Sequence, residues 1–188
     1  MTLARCTVPP IGAAAEAAVR HRAVLPVLET ARLRLRAPAA ADFTLWLRIG
    51  TEPGCEWIGG PAEPEDAWYD FCGHVACWLL HGHGPFVVER KADGTALGFV
   101  FLGYEWDDAE TELGWFLARE ARGQGYAREA AVAVRDWGLG LLPDFVSYVQ
   151  AANGPSTRVA QSLGAVVDAA ESARIGTTVW RHGAGVPA

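Results

Sequence analysis

The chain has 188 residues, of which 51% are hydrophobic and 20% charged, and its formal net charge is −6. This length suits one domain with a sizeable core. Because the balance is acidic and no long basic run exists, nucleic acid is not expected as a general partner. No apolar run reaches the roughly 18 residues of a membrane span. Pro9, Pro10, Glu16 and Arg20 interrupt the alanine-rich N-terminal stretch, which makes a poor signal peptide, so the cytoplasm is the expected compartment, without membrane attachment.

The cysteines and histidines predict no metal site. None of the four cysteines forms a Cys-x-x-Cys pair. The densest cluster is Cys72, His74, Cys77, His81 and His83, and its spacings match none of the usual zinc patterns.

The first half of the chain predicts an extension, one strand and two helices. Residues 1–27 are expected to be an extension with one or two helical turns over 13–19, residues 28–182 a single domain, and 183–188 a tail. Leucines alternate with arginines over 28–36, which predicts one half-buried strand with a solvated charged face. A helix follows from Pro38 to Leu47, then a Pro/Gly-rich loop over 50–64 and a second helix over 64–80.

The second half predicts a sheet. Strands are expected at 86–90, 97–104 and 111–117, the first two joined by a hairpin turn at 92–95. A helix beginning at Tyr126 leads to a strand at 145–150, and a helix from Pro155 to Leu163 ends at Gly164. Two last strands, at 165–169 and 177–180, are expected to form a hairpin. Helix-connected strands imply at least one parallel pair, so the fold class is α/β (α+β).

Residues 111–130 combine an apolar strand, a glycine-rich turn and an amphipathic helix. This combination suits phosphate binding, because the first turn of a helix has unpaired N–H groups and glycines let an anion approach the backbone. Arg122 adds a forked cationic donor. The turn is neither a P-loop nor a dinucleotide fingerprint, since Arg128 stands where the third glycine is required.

Residues 120–125 resemble the acyl-CoA signature Gln/Arg-x-x-Gly-x-Gly/Ala of the GNAT N-acetyltransferases, although Glu120 stands at its first position. Further motifs resemble the RimJ/RimL-type branch of that superfamily. They are L-x-T-x-R-L-x-L-R at 28–36, E-x-G-W at 112–115, R-G-x-G-Y-A-x-E-A at 122–130 and N-x-x-S, six further residues and L-G at 153–164.

The resemblance implies a mixed, mostly antiparallel sheet that splays between the strands at 111–117 and 145–150. Acetyl-CoA is the implied co-substrate, lying in that splay with its pyrophosphate on the N–H groups of residues 122–127 and its pantetheine arm along residues 113–117. The implied cofactor-binding residues are Phe116, Leu117, Arg122, Gly123, Gln124, Gly125, Tyr126, Ala127, Asn153 and Ser156.

The implied reaction is direct transfer of an acetyl group to a primary amine. Ser156 is the candidate proton donor to the leaving sulfur, and Glu112 the candidate base. The N–H groups near Phe116 and Leu117 are candidates for holding the oxyanion. A solvated strand-end carboxylate remains an open alternative for Glu112, and a backbone-bonded first-turn hydroxyl for Ser156.

The acceptor is expected to contact Trp57 and Trp115. Acids at Glu52, Glu56, Glu63, Glu65 and Asp66 suit a cationic amine, although ordinary surface charge is slightly favoured. A small amine and a peptide or protein N-terminus both remain open, as do a longer acyl group and a homodimer. The alternative from another class is a non-catalytic acyl-CoA sensor.

Overall fold

The computed structural model describes residues 4–60 and 62–183. It begins with a 3-10 turn, Arg5–Thr7, and the helix α1, Gly12–Arg22. This helix is longer than the predicted 13–19 because its alanine-rich run has high helix propensity. No residue of α1 is buried, so it contributes little to the core.

A short hairpin replaces the single strand predicted over 28–36. Its strands are β1, Leu28–Glu29, and β2, Leu33–Arg36, with Leu28 opposite Leu35. The Thr30 hydroxyl accepts a hydrogen bond from the Leu33 N–H at 2.9 Å, which closes the turn. The prediction was wrong because leucine alternation hides a turn that a threonine side chain stabilises.

Two helices, α2 (Phe43–Ile49) and α3 (Pro64–Leu80), cover one face of the sheet. Between them the loop contains a 3-10 turn, Cys55–Ile58. Phe43, Trp46 and Phe71 are buried against Phe99 of the sheet. Helix α4, Tyr126–Gly138, packs on the opposite face through Ala130 and Val134, both fully buried.

Strands β3 (Pro85–Arg90), β4 (Thr95–Gly103) and β5 (Glu112–Leu117) form an antiparallel meander. Gly114 of β5 lies under the Phe101 ring, and a Cβ there would come within 2.0 Å of it. A glycine is therefore required at this position, where β5 pairs with β4.

The chain continues with β6 (Asp144–Val149), α5 (Gly154–Ser162), β7 (Val166–Val167), α6 (Ala169–Ile175) and β8 (Thr178–Gly183). The last two strands pair antiparallel, but α6 separates them, so the predicted simple hairpin was wrong. Asp168 caps α6 by accepting a hydrogen bond from the Glu171 N–H at 3.0 Å. This Asp-x-x-Glu spacing is the signal that the sequence interpretation missed.

The eight described strands form one sheet in the order β1-β2-β3-β4-β5-β6-β8-β7. The β5–β6 neighbours are parallel and the remaining described pairs antiparallel. This confirms the predicted mixed, mostly antiparallel α/β fold. Among the described helices, none is long and apolar enough to cross a membrane.

Candidate active site

The sheet splays between β5 and β6. These two strands share a single register pair, Glu112 opposite Val146, and diverge beyond it. A cavity of about 940 Å³ fills the gap and extends along both halves of the sheet. Its walls come from the α2–α3 region on one side and from α4 and α5 on the other.

The divergence leaves one edge of β5 open. The Ala118 N–H donates to the Leu97 carbonyl of β4, so strand alternation turns the N–H and C=O groups of Leu113, Trp115 and Leu117 toward the splay. The backbone groups of Phe116 point toward β4 instead. Of the two N–H groups expected to face the reacting carbonyl, only that of Leu117 lies on the open edge.

The glycine-rich turn presents an uninterrupted row of free donors. Gly123 and Gly125 adopt φ +75° and +79°, values that glycine tolerates without strain. Among the described residues, the N–H groups of 123–128 find no hydrogen-bond acceptor. The Arg122 N–H differs from expectation, because it donates to the Arg119 carbonyl at 3.2 Å. The row lies at the cavity wall, where the α4 dipole adds positive potential.

The β1–β2 hairpin braces this turn. The Arg32 Nε lies 2.6 Å from Glu129 Oε2, and its Nη1 donates to the Gln124 carbonyl at 3.0 Å. The Thr30 hydroxyl donates to Glu129 Oε1 at 2.6 Å, and the Arg32 guanidinium lies over the Tyr126 ring. The sequence interpretation missed this role and treated the hairpin arginines as a solvated face, because the partners lie nearly a hundred residues away.

The Arg122 side chain connects the turn to the loop between α2 and α3. Its Nε donates to the Leu117 carbonyl at 2.8 Å and its Nη1 to the Pro53 carbonyl at 3.0 Å. Gly54 makes room for it, since a Cβ there would lie 2.4 Å from Nη1. Two of its donor nitrogens are thus engaged by backbone carbonyls, whereas the sequence predicted a phosphate ligand.

Glu120 has a structural partner that explains its departure from the acyl-CoA signature. Its Oε1 accepts a hydrogen bond from Arg48 Nη1 at 2.8 Å, and the same nitrogen donates to Glu52 Oε1 at 3.1 Å. Glu52 also accepts from the Arg119 N–H. The carboxylates of Glu120 and Glu52 therefore fasten α2 to the segment before the turn.

Glu112 lies where the strands part. Its Oε1 accepts a hydrogen bond from the Tyr148 N–H of β6 at 3.4 Å. By strand alternation it shares a face with Gly114 and Phe116, the face that the α2–α3 region covers. Burial raises the pKa of its carboxyl to about 8, and Asp108 and Glu105 add to the shift. The structure thus disagrees with a freely solvated strand-end carboxylate.

Ser156 and Asn153 begin α5 at the cavity wall. The Asn153 Oδ1 accepts a hydrogen bond from the Ser156 N–H at 3.2 Å, which caps the helix. Because the cap uses the backbone of Ser156, the hydroxyl is left free to act toward the cavity.

A buried pair of side chains, Ser147 and His182, lies on the β6 side of the splay. The Ser147 Oγ donates to the Leu113 carbonyl at 2.6 Å and lies 3.0 Å from His182 Nε2. Burial lowers the pKa of His182 to about 4, so its imidazole is neutral. Because the Ser147 hydroxyl donates its proton to the Leu113 carbonyl, it can only accept a hydrogen bond from His182. The proton of the neutral imidazole therefore lies on Nε2. The sequence analysis singled out neither residue.

Comparison with known proteins identifies the chain's relatives. A family model described as "Acetyltransferase (GNAT) domain" matches residues 32–166. The chain is also similar to the crystal structure of an acetyltransferase from Agrobacterium tumefaciens strain C58. The two are 36% identical, the match covers 85% of this chain and 95% of that one, and the TM-score is 0.79.

The chain belongs to the GNAT acetyltransferase family. More distant solved structures share the GNAT fold. The spermidine N-acetyltransferase from Vibrio cholerae, solved with CoA and spermine, is 18% identical, covering 81% of this chain and 94% of that one, with a TM-score of 0.62. The ribosomal-protein-S5-alanine acetyltransferase from Vibrio fischeri is 20% identical, covering 76% of this chain and 84% of that one, with a TM-score of 0.58. No curated protein sequence matches the chain.

Aromatic side chains form the α2–α3 wall of the GNAT cavity. Trp46 packs edge-on against Phe116, with ring centroids 4.7 Å apart. Trp57, at 37% exposure, lines the cavity from the loop between the helices. Trp115 lines it too, but from the opposite face, packed among residues of the α4 and α5 side. The two predicted acceptor contacts therefore lie on different walls.

The cavity is electrostatically divided. Arg122, Arg128 and Arg158 line it beside the glycine-rich turn and α5, and Arg174 of α6, which is ion-paired with Glu171, lines it as well. The carboxylates of Asp70, Glu105, Asp107, Asp108 and Glu112 line the other end. None of the five acids that the sequence analysis put forward contributes to this lining; Glu52 and Glu56 instead accept backbone hydrogen bonds.

The cysteine and histidine cluster is dispersed in the structure. His83 Nδ1 lies 2.8 Å from the Leu102 carbonyl, and the His81 ring stacks beside it. Across residues 4–60 and 62–183, no group of three or more histidine, cysteine, aspartate or glutamate side chains has an arrangement that would hold a metal ion.

Proposed function

We propose that the protein transfers an acetyl group from acetyl-CoA directly to a primary amine of a small molecule or peptide, within the splay between β5 and β6. The observation that carries this proposal is the row of free N–H groups over 123–128, placed beside the open edge of β5. We further infer membership in the RimJ/RimL-type branch, supported by the four motifs at 28–36, 112–115, 122–130 and 153–164.

The cofactor's contacts follow from the geometry of the turn. The donors of Gly123, Gln124, Gly125, Tyr126 and Ala127 suit the pyrophosphate, and Arg128 and Arg158 add positive charge nearby. The Leu113 and Leu117 carbonyls are already taken by Ser147 and Arg122, so the groups left to pair with the amides of the pantetheine arm are the N–H and C=O of Trp115 and the N–H of Leu117. Asn153 lies at the same wall, beside the helix that it caps. We assign Arg122 mainly to positioning, because its guanidinium already binds Leu117 and Pro53.

The chemical step needs one proton removed and one supplied. The amine lone pair attacks the thioester carbonyl carbon, the C–S bond breaks, and the sulfur leaves as a thiolate. The Ser156 hydroxyl passes a proton to the sulfur and takes one from water in the open cavity, so no alkoxide is left. Glu112 accepts the proton that the amine loses, directly or through water. The proton that Glu112 collects returns to water at the end of the cycle. The Leu117 N–H is the donor best placed to stabilise the oxyanion.

The raised pKa of Glu112 suits this role. An ordinary glutamate is too weak a base to accept a proton from an amine, whereas a carboxyl with a pKa of about 8 is much closer in basicity to its acceptor.

The experiment is a thiol-release assay with acetyl-CoA and a panel of primary amines, followed by mass spectrometry of the amine. Release of one thiol per acetylated amine supports the proposal. If acetyl-CoA binds but no amine in the panel is acetylated, the proposal fails and the non-catalytic acyl-CoA sensor is favoured. A control with Gln161→Ala, exposed on the last turn of the same helix and outside the cavity lining, should retain activity.

A further inference from the structure

Five carboxylates at one end of the cavity have no cationic partner of their own. They come from three separate segments: Asp70 from α3, Glu105, Asp107 and Asp108 from the loop between β4 and β5, and Glu112 from β5. Within the described residues, no lysine or arginine pairs with any of the five, and the single ionisable contact is between Asp70 and His74 at 3.5 Å.

These carboxylates repel one another. Burial is the main cause of the raised pKa of Glu112 and of Glu105; Asp108 adds to both shifts, and Asp70 adds to that of Glu105. Burial raises the pKa of Asp108 itself, although it accepts a 2.7 Å hydrogen bond from the Glu105 N–H. Asp70, Glu105 and Asp107 are solvent-exposed, and Asp108 and Glu112 are half-buried. Water therefore screens part of the repulsion, and a cation placed among the five carboxylates would relieve the rest.

A buried histidine in the same wall does not supply the compensating charge. His74 is 4% exposed, lines the cavity, and its Nδ1 has no hydrogen-bond partner in the part of the chain that the structure describes. Its ring packs between Trp46 and Phe101. Burial lowers the pKa of His74 despite the opposing influence of Asp70 and Asp108. The imidazole is therefore neutral at pH 7; its Nε2 lies 3.5 Å from Asp70 Oδ1, while its Nδ1 lies on the side of Gly103.

The lining favours an organic cation over a metal ion. The described acids do not converge in a metal-binding arrangement. The rings of Trp46 and Trp57 line the same cavity as these acids. Such rings can pack against the alkyl segment of an amine and attract its ammonium group. Because the proposed reaction needs Glu112 at the reacting amine, the remaining four acids are available to a second charge.

We propose that the acceptor is an aliphatic diamine or polyamine, whose distal ammonium group binds between Asp70 and Asp108 while its reacting amine lies at Glu112. This inference rests on the proposed function and specifies the substrate class of the same site. The Trp46 Nε1 donates to Asp70 Oδ2 at 3.0 Å, which fixes that carboxylate at the wall. The Glu105 N–H fixes Asp108 in the same way.

The test compares putrescine, a four-carbon diamine, with 4-aminobutanol, which has the same length but a neutral far end. We expect kcat/KM to be at least about tenfold higher for putrescine, as the loss of one charge-assisted contact implies. Asp70→Asn and Asp108→Asn should each abolish most of this preference, measured as the ratio of kcat/KM for putrescine to that for 4-aminobutanol in the same variant. The ratio is the readout because Asp108→Asn also changes the pKa of Glu112 and so alters both rates together. Both substitutions retain an oxygen to accept the structural hydrogen bond. Asp66→Asn, exposed on the same helix and outside the cavity, should keep the full preference.

A binding measurement separates this inference from the proposed function. Calorimetric titration of the unliganded protein with putrescine and 4-aminobutanol should show tighter binding of the diamine, weakened in Asp108→Asn. Equal binding and equal rates for the two compounds would overturn the inference while acetyl transfer stands. Tighter diamine binding without acetylation of any amine would support the diamine site and overturn the proposed catalysis.

Discussion

At the scale of single residues, the burial of Glu112 destabilises the ionised form of its side chain and makes its carboxylate a stronger base. Glu112 lies at the last paired position before β5 and β6 separate, where burial raises its pKa to about 8. A carboxyl in this state is an adequate proton acceptor only once it is ionised. Its environment therefore predicts the direction in which activity changes with pH.

For the wild-type protein, kcat/KM should rise with pH through an apparent pKa near 8, because only the ionised Glu112 accepts a proton. Glu112→Gln should lower kcat by about 10²- to 10⁴-fold, the usual range for a general base, and remove this limb of the profile. Steady-state rates from pH 6 to 9 with acetyl-CoA at saturation measure both effects. A glutamine variant that keeps the limb would show that another group is the base.

Two controls accompany the Glu112 measurement. Glu16→Gln, exposed on α1, should leave the profile unchanged. The folded state favours the protonated form of Glu112, so wild-type stability falls as pH rises from about 4.5 to 8. Glu112→Gln should thus unfold at no lower temperature than wild type at pH 8, which excludes misfolding as the reason for lost activity.

Ser156 makes a separate prediction, because its helix cap uses the N–H and not the hydroxyl. Ser156→Ala should preserve α5 and acetyl-CoA affinity but slow turnover by roughly 10- to 100-fold. This is the low end of general-acid effects, since a thiolate of pKa about 8.5 is already a good leaving group. Single-turnover kinetics measure the chemical step. Thr157→Val, which loses a hydroxyl bonded to the Asn153 carbonyl outside the cavity, serves as the control. An unchanged rate in Ser156→Ala would remove the hydroxyl from the mechanism.

At the scale of elements, long-range side-chain contacts hold the glycine-rich turn, and this is where the sequence was least informative. The bounds of α3, α4 and α5 could be predicted closely because caps, prolines and apolar periodicity are local signals. The bracing of the turn by Arg32 and Glu129 could not, since the two residues are 97 positions apart. The hairpin at Thr30 and the helix α6 were missed for a different reason: their local capping signals were present and were not used.

The acidic wall illustrates the same limit for the site. Four of its members lie within residues 105–112, but Asp70 lies on α3, so only the fold brings Asp70 into one cavity with Asp108 and Glu112. The sequence analysis instead selected acids near Trp57 in the chain. The turn itself was predictable because residues 120–130 are contiguous, and a contiguous motif carries its own geometry.

The hydrogen bond from Arg122 to the Pro53 carbonyl predicts that the glycine-rich turn and the loop between α2 and α3 are mechanically linked. Gly54→Ala should push the Arg122 guanidinium away, because its Cβ would lie 2.4 Å from Nη1 at φ +101°. We expect the KM for the amine to rise by about fivefold or more, corresponding to about 1 kcal/mol of strain, with acetyl-CoA affinity nearly unchanged.

Gly59→Ala provides the matched control for this linkage. Its φ is +76° and a Cβ there meets nothing within 4 Å, so it introduces similar backbone strain in the same loop without touching Arg122. A smaller rise in KM than for Gly54→Ala is expected. If both variants behave alike, or if acetyl-CoA affinity falls instead, Arg122 does not link the two segments as described.

At the scale of the whole molecule, the interruption of one sheet creates the cavity. Six of the seven described strand pairs are antiparallel, but the crossover through α4 makes β6 parallel to β5 and leaves only one register pair between them. The Ser147 contact to Leu113 holds the two strands just beyond that pair. A charged cavity thus results from topology, with a basic end beside the helix starts and an acidic end beside α3.

The central claim is that acetyl-CoA binds in this splay, with its pyrophosphate on the glycine-rich turn, and thermal unfolding with and without acetyl-CoA tests it most directly. At about 100 times its dissociation constant the ligand adds about 2.7 kcal/mol, which should raise the midpoint by roughly 5 to 10 °C for a chain of this size. Gly123→Ala should lose most of the shift, because a Cβ would stand between the backbone donors and the anion. Gly94→Ala, at a similar φ of +71° in the β3–β4 turn, should keep it. No shift in the wild-type protein, or an equal shift in all three, would contradict the placement of acetyl-CoA at this turn.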